Sequence, residues 1–387
     1  PTDKVELLIL GGSWTAYPRS YREWFIRRCF EALNAENPLD DQGEIRLEDV
    51  QKRNEIGAHR NVGLVVETRP DLISRQELIF NRKLGVTKFQ IGIQSLDDDI
   101  LKRNKRGHTS EQARQAVDLL RAAGFKVVAH WMPNLLGATL ESDRADFAKL
   151  WDEGSIQPDE LKIYPCQLLQ NAELYHYWQR GEFQPYSEEQ LIDLLADIKP
   201  TVPRYCRINR VIRDIPSTNV VAGNRNTSLR QDVARELERR GERCNCIRCR
   251  EIRGGRMQRT AIALHDLVYQ TGVSEEHFLS YDTEDDRLAG FLRLSLPHEN
   301  NLLELQDLEG AAIIREVHVY GQSLEVGTEQ AGAAQHAGLG KNLIQKAEEI
   351  ARGQGYKRLA VIAAVGTRQY YAMRGFEMGE LYMVKPL

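Results

Sequence analysis

The chain has 387 residues, more than one hydrophobic core usually serves, so two domains of roughly 100–200 residues each are expected. With 42% hydrophobic and 28% charged residues it has the make-up of an ordinary soluble globular protein; no apolar run approaches the ~20 residues that cross a bilayer, which excludes a helical membrane protein. The amino end shows no secretory signal pattern, so a cytoplasmic location is expected, and the net charge of −4 conceals a basic stretch: residues 204 to 260 hold 15 arginines, no lysine and 6 acids.

Up to about residue 200, short apolar or β-branched runs alternate with helical patterns. In order these are "VELLIL", "YREWFIRRCFEAL", "VGLVVET", "RQELIFNRKL", "VTKFQIGI", "SEQARQAVDLLRAAG", "FKVVAHWM" and "ELKIYP". Strands separated by helices of that length read as repeated βαβ units on a parallel sheet, an open or partial (β/α) barrel over residues 1–203. The arginine-rich segment follows as a linker over 204–284. From 285 to 387 the order becomes "RLAGFLRLSLP", "GAAIIREVHVYG", the helix "GKNLIQKAEEIARGQG", "RLAVIAA" and a short closing helix and strand, a compact α+β domain. Between them "EVGTEQAGAAQHAG" has the composition of a mobile loop.

Arginine grips phosphate in a planar, bidentate way, so a concentrated arginine stretch in an acidic chain is the footprint of a nucleic-acid contact. Arg207, Arg210, Arg213, Arg248, Arg250 and Arg253 are the candidates. For Arg235 to Arg243 the same spacing also suits a solvated helix face laced by i,i+4 ion pairs.

Cys29, Cys166 and Cys206 are scattered like buried hydrophobes, whereas Cys244, Cys246 and Cys249 fall in a CxCxxC spacing. Three thiolates so placed form most of a tetrahedral zinc shell, and a structural zinc is expected there. His265 is the preferred fourth ligand, then Cys206, then His277.

In the C-terminal domain Gln335, Gly338 and Gly340 form a QxxGxG pattern that opens a helix after a loop. Glycines allow close backbone approach, and the free amides of a first helical turn face an anion such as a pyrophosphate. With the preceding strand "IIREVHVYG" and the following "VGTRQYYAMRGF", this arrangement resembles a GNAT-type acetyltransferase. The resemblance implies that Gln335, Gly338, Leu339, Gly340 and Lys341 hold acetyl-CoA and that the strand at Val317, His318 and Val319 lines the thioester. It makes Tyr371 the general acid toward the CoA thiolate, with Tyr370 next to it. Packing against the last sheet is the other reading of Tyr371.

The N-terminal half, through "GGSWTAYP", "ETRPD", "QIGIQSLDDDIL", "NKRGHT" and "FKVVAHWMPNLLGAT", is similar to the radical S-adenosylmethionine (SAM) part of the Elongator catalytic-subunit family. "LKIYPC", "INRVIRDIPS", the CxCxxC stretch, "REVHVYG" and "YMVKPL" continue the match in the same order. The reaction it implies is carboxymethylation of the wobble uridine of tRNA at its 5-position, using SAM and acetyl-CoA, with the anticodon stem-loop as partner and either partner subunits or a homodimer around it. Gly11 and Gly12 then approach SAM as backbone, unless they are only a strand-end turn. Glu67, Gln94 and Ser95, at strand ends where barrel ligands bind, meet its polar parts. Arg69 is a further contact or an ion-pair partner of Asp71 or Glu67; His130 is a ligand contact or a satisfied buried histidine; Lys162 points into the barrel mouth and meets an acyl or phosphate group.

One departure from the family stands out. Its [4Fe-4S] cluster needs three cysteines upstream of the glycine pair, and the ten residues before Gly11 hold none. The chain is therefore expected to be a fragment of a longer protein that carries the cluster. Rival readings are a protein lysine acetyltransferase and a non-catalytic tRNA-binding scaffold.

Overall fold

The computed structural model describes residues 2–35, 46–213, 215–252, 262–298, 302–320 and 338–387. Residues 325–337 of the expected loop "EVGTEQAGAAQHAG", Gln335 among them, and Arg253 lie outside them.

Strand β1 (Lys4–Ile9) is followed by α1 (Arg19–Asn34) and α2 (Leu47–Asn54), then by β2 (Arg60–Thr68), α3 (Arg75–Lys83), β3 (Lys88–Gln94), α4 (Asp98–Arg103), α5 (Ser110–Ala122), β4 (Lys126–Trp131), α6 (Leu140–Lys149) and β5 (Glu160–Ile163). The short β6 (Leu168–Leu169), α7 (Leu174–Gln179), α8 (Glu188–Ile198), β7 (Arg207–Arg210), β8 (Val220–Ala222), α9 (Leu229–Arg239) and α10 (Ile247–Arg250) complete this half. The sheet order is β1-β2-β3-β4-β5-β7, with β1–β2, β4–β5 and β5–β7 parallel. This is the half-barrel of parallel strands that the alternating pattern predicts. Its central strands read as continuous apolar runs because both faces are buried: β4 buries five of its six residues and β5 all four. Local signals place the helices. Ser74 caps α3 by accepting from the Glu77 amide, and α6 and α8 open on capping boxes at Thr139 and Ser187.

The second sheet has the order β14-β15-β13-β12-β11-β10-β9, built from β9 (Ile262–Gln270), β10 (Ser274–Thr283), β11 (Leu288–Pro297), β12 (Ala311–Val319), β13 (Arg358–Val361), β14 (Glu377–Met378) and β15 (Met383–Pro386). Helix α11 (Leu339–Gly353) lays Leu343, Ile344 and Ala347 into the core against Leu292, Leu294 and Ile314, and α12 (Arg368–Ala372) follows β13. Only β12 and β13 pair in parallel; the other pairs are antiparallel. The sheet begins at β9, before residue 285, because "IALHDLVYQ" and "SEEHFLSYDT" form a hairpin that the preceding arginine-rich composition masks.

Two compact units divide the chain, and they do not follow chain order: residues 1–90, 118–127 and 251–387 form one, and 91–117 with 128–250 the other. Within the first, N-terminal elements lock onto the second sheet through buried polar groups. Arg82 donates to the carbonyls of Val86, Ala363 and Leu381 at 2.9, 2.6 and 3.0 Å, and Tyr382 donates its hydroxyl to Ala123 at 2.7 Å. Burial pushes the Arg82 guanidinium down to about 10, and the three carbonyls satisfy it.

Candidate functional site

At the carboxyl ends of the parallel strands, polar side chains gather in the second unit. Gln94 ends β3 in a left-handed conformation, φ 67°, and its buried side-chain oxygen has no hydrogen-bond partner among the described residues. Strain of this kind in a non-glycine residue collects at functional positions. Gly92 makes room for it: a Cβ there would fall 2.9 Å from the Gln94 amide nitrogen and 3.3 Å from the Arg106 guanidinium. Parallel pairing puts His130 opposite Lys162, and Lys162 in turn opposite Arg210. The His130 ring is 5.4 Å from that of Tyr164, over which lie the Lys162 ammonium at 5.9 Å and the Arg213 guanidinium at 5.7 Å. Burial, and then the charges of Lys162, Arg213 and Arg106, push His130 down to about 3. It is a neutral imidazole throughout the physiological range, set among cations, an environment suited to an anionic or electron-rich ligand. Ser95 is buried, its hydroxyl accepting from the Asp97 amide, and Asp146 ties the ends of β3 and β4 by accepting from the Leu96 amide and the Trp131 indole.

In the first unit, Gly11 follows β1 with φ 103°, and a Cβ on Gly11 or Gly12 would meet nothing within 4 Å, so the backbone is open to close approach. Glu67 is half-buried near the end of β2. Arg69 grips Asp71 through two hydrogen bonds of 2.9 and 2.5 Å, the ion-pair alternative that its neighbours in the chain suggest.

The acetyltransferase sheet contains a wedge. The β12–β13 ladder runs from Ala311 to Ile314 and stops at Ile314↔Val361, while on its other side β12 stays paired with β11 as far as Gly290↔Val319. The segment bearing Val317, His318 and Val319 therefore runs on past the last residue of β13, with no strand paired on that side among the described residues. Val317 and Val319 are half-buried and His318 is exposed. Gly338 caps α11, Leu339 and Gly340 are buried, and Lys341 is exposed. A Cβ on Gly340 would lie 2.6 Å from the Tyr370 hydroxyl and 3.8 Å from Val319 Cγ2, so the helix start, the end of β12 and Tyr370 converge on one place.

The adjacent tyrosines differ. Tyr371 is buried in the acetyltransferase core, 5.7 Å ring to ring from Phe376, and burial holds its phenol well above the ordinary range. Tyr370 is half-buried, with the Arg374 guanidinium 3.5 Å over its ring and an Arg374 nitrogen donating to its carbonyl at 2.6 Å. Burial raises its phenol too, and Arg374 draws it part of the way back.

The CxCxxC stretch closes into a knot in the second unit. The sulfurs of Cys244, Cys246 and Cys249 all lie within 4.8 Å of one another. Hydrogen bonds from Cys244 and Cys249, aided by the Ile208 amide, pull the Cys246 thiol below its ordinary value. The set suits a soft tetrahedral metal such as zinc. Among the described residues no fourth histidine, cysteine or carboxylate joins the group. The preferred fourth ligand, His265, is exposed on β9 opposite Ser280 in the other unit, and His277 engages both ring nitrogens with Asp266 and Glu275.

The arginines sort into classes that composition does not separate. Arg250, expected to face outward to RNA, is 4% exposed and donates to the carbonyls of Asn245 and Arg204 at 3.0 and 3.1 Å; it builds the knot instead. Arg248, half-buried, donates to the Asn209 carbonyl at 3.3 Å. Arg207 is half-buried, while Arg210 and Arg213 are exposed. Arg235, Arg239 and Arg240 on and just after α9 pair with Asp232, Glu236, Asp193 and Asp197, the ion-paired face that was the alternative reading. Sequence reasoning missed Gly92, Arg106 and Tyr164 at the barrel mouth, and Arg230 beside the thiols; the first three stand in the quoted "QIGIQSLDDDIL", "NKRGHT" and "LKIYPC", where nothing local assigns them a role.

Comparison with known proteins places this geometry. Residues 4–150 match the Radical SAM superfamily, 158–239 the Radical_SAM C-terminal domain and 248–376 the Acetyltransferase (GNAT) family. The tRNA uridine(34) acetyltransferase of Dehalococcoides mccartyi is 40% identical over the whole chain, which spans 84% of that protein; that of Methanocaldococcus infernus is 38% identical, with 73% spanned. Elongator complex protein 3 of Homo sapiens is 35% identical, with 70% spanned. The solved structure of archaeal Methanocaldococcus infernus Elp3 with an N-terminal deletion (1–46) superposes with a TM-score of 0.91 at 36% identity, covering all of this chain and 91% of that one. A radical SAM half-barrel followed by a GNAT domain, at this identity over the full chain, makes the protein a member of the family of tRNA uridine(34) acetyltransferases and Elongator complex protein 3.

Proposed function

We propose that the chain serves modification of the wobble uridine of tRNA at its 5-position by binding tRNA and acetyl-CoA, the source of the two-carbon group. The observation that carries this reading is the wedge between β12 and β13, with Gly340 and Tyr370 at its mouth, in a chain whose relatives are named for tRNA uridine(34). The residues present fit acetyl-CoA: the free strand at Val317–Val319 and the α11 amides around Gly340 form a cradle that a Cβ would fill. Bound acetyl-CoA supplies the acyl group. Tyr371, kept protonated by burial, donates its proton to the departing thiolate sulfur. Tyr370, at the helix start, orients the pyrophosphate end.

In the second unit Gln94, Ser95 and His130 contact SAM, and Lys162 meets the anionic substrate. The radical SAM family implies an iron–sulfur cluster, which takes three clustered cysteines. Residues 4–150 contain one cysteine, Cys29, so these residues do not fit the cluster. Zinc on Cys244, Cys246 and Cys249 braces the knot, and Arg207, Arg210, Arg213 and Arg248 meet tRNA phosphates on the anticodon stem-loop. A homodimer or Elongator-type subunits complete the assembly, in the cytoplasm.

The deciding experiment measures acetyl-CoA turnover by the purified chain with and without tRNA. Stimulation by tRNA is the expected result. Turnover indifferent to tRNA, with acetyl transfer to a lysine peptide, overturns the proposal in favour of a protein acetyltransferase.

A further inference from the structure

Residue 315 is where β12 leaves β13. On the β11 side the register passes from Arg293↔Glu316 to Leu294↔Ile314, leaving Arg315 opposite nothing: it is the extra residue of a β-bulge. The β13 ladder ends at Ile314, the residue before it. A bulge bends its strand and increases the local twist, so this one sets the splay of the wedge.

The bulged side chain is fixed by charge. Arg315 is fully buried, with Nε and Nη2 on the Glu276 carboxylate at 3.0 and 2.9 Å and Nη1 donating to the Phe125 carbonyl at 3.0 Å. Glu276 is 1% exposed, takes the Ser274 hydroxyl at 2.8 Å, and has the Arg121 guanidinium at 3.9 Å. The next residue, Glu316, is bound by Lys126 at 2.9 Å and Arg293 at 3.0 Å. One short stretch, residues 121 to 126, thus supplies Arg121, the Phe125 carbonyl and Lys126 to two consecutive residues of β12 and their partner. A fully buried ion pair adds little stability over an apolar pair of the same volume, so its presence at the bulge calls for another role.

We propose that Arg315 is a positioning residue for acetyl-CoA: pinned to Glu276 and Phe125, it holds the bulge that keeps β12 apart from β13 and presents the main chain of Val317–Val319 to the ligand. This rests on the acetyl-CoA reading given above.

The test uses the full chain, CoA as the probe, and calorimetric binding beside thermal melting. Arg315→Met alone strands the buried Glu276 carboxylate and lowers the melting temperature. Arg315→Met combined with Glu276→Leu removes both charges but takes the carboxylate from the buried Arg121 guanidinium; it is expected to melt between Arg315→Met and the parent and to bind CoA about tenfold more weakly, with tRNA affinity unchanged and faster amide exchange at Val317–Val319. Arg315→Lys keeps a charge for Glu276 but not the fork to Phe125, and is expected to weaken CoA similarly; it decides the matter if the double variant does not fold. A purely structural role moves the melting temperature and leaves CoA affinity below it untouched. Parental CoA affinity in the folded double variant, or in Arg315→Lys, overturns the inference alone. A parent chain that does not bind CoA overturns the acetyl-CoA reading and this inference with it.

Discussion

Tyr370 and Gly340 meet at the first turn of α11: the tyrosine hydroxyl occupies the position that a side chain on residue 340 would need, 2.6 Å from its Cβ. Gly340→Glu therefore both collides with the ring and sets a negative charge where the helix dipole favours an anion of the ligand. Binding of CoA should be lost, while Gly340→Ala should weaken it less because the ring can give way. Normal CoA affinity in Gly340→Glu, measured by titration calorimetry, rules out the phosphate cradle.

The two tyrosines should separate kinetically. Tyr371→Phe keeps the packed ring and removes the proton, so CoA affinity should hold while tRNA-stimulated turnover of acetyl-CoA falls by roughly 10²–10⁴-fold. Tyr370→Phe should act chiefly on CoA affinity, through the helix start. The reverse pattern moves the proton donor to Tyr370.

Purified chain should carry about one zinc, as a closed structural site requires, and essentially no iron. Cys246→Ser should remove most of the metal, since it takes away one of the three sulfur ligands, and should lower the melting temperature. Elemental analysis with iron in cluster amounts contradicts this assignment.

Arg250 and the exposed arginines predict opposite phenotypes. Arg250→Ala leaves buried carbonyls unpaired, costing roughly 1–3 kcal/mol of stability, with the salt dependence of tRNA binding unchanged. Arg210→Ala with Arg213→Ala should weaken tRNA binding uniformly and reduce the salt slope by about one for each phosphate no longer neutralised. A slope indifferent to the second pair returns them to solvent.

His130 predicts a signed pH effect. Its folded value of about 3 lies below the ordinary 6.5, so between these limits the unfolded chain takes up a proton that the folded chain refuses. Its contribution is complete above about pH 6.5 and is lost as pH falls toward 3, a few kcal/mol at about 1.4 kcal/mol per unit. Asp143, raised to about 6 by burial, works the other way, gaining stability as pH falls from 6 toward 3.8. The difference between the parent and His130→Gln isolates the histidine: the variant should lose less stability on acidification in denaturant titrations. Parallel profiles exclude a buried neutral His130.

The parts of this protein readable from its sequence are those fixed by near neighbours. Apolar runs such as "VGLVVET" between helical patterns announce a parallel sheet because each strand is buried on both faces. The glycines at 338 and 340 announce a helix start, and CxCxxC brings three sulfurs together because the spacing alone suffices. Tertiary pairing decided the rest. The register of β4 on β5 puts His130 beside Lys162, and it is this neighbour, with burial, that keeps the imidazole neutral. Nothing near Arg250 in the chain distinguishes it from Arg248; only the carbonyls of Asn245 and Arg204 closing around it make it structural. The bulge at Arg315 exists only because β11 is one residue short opposite it, and its partner Glu276 arrives from another strand. Burial and register depend on residues far apart in the chain, so a local pattern can name a candidate side chain but only the folded sheet decides which charges meet.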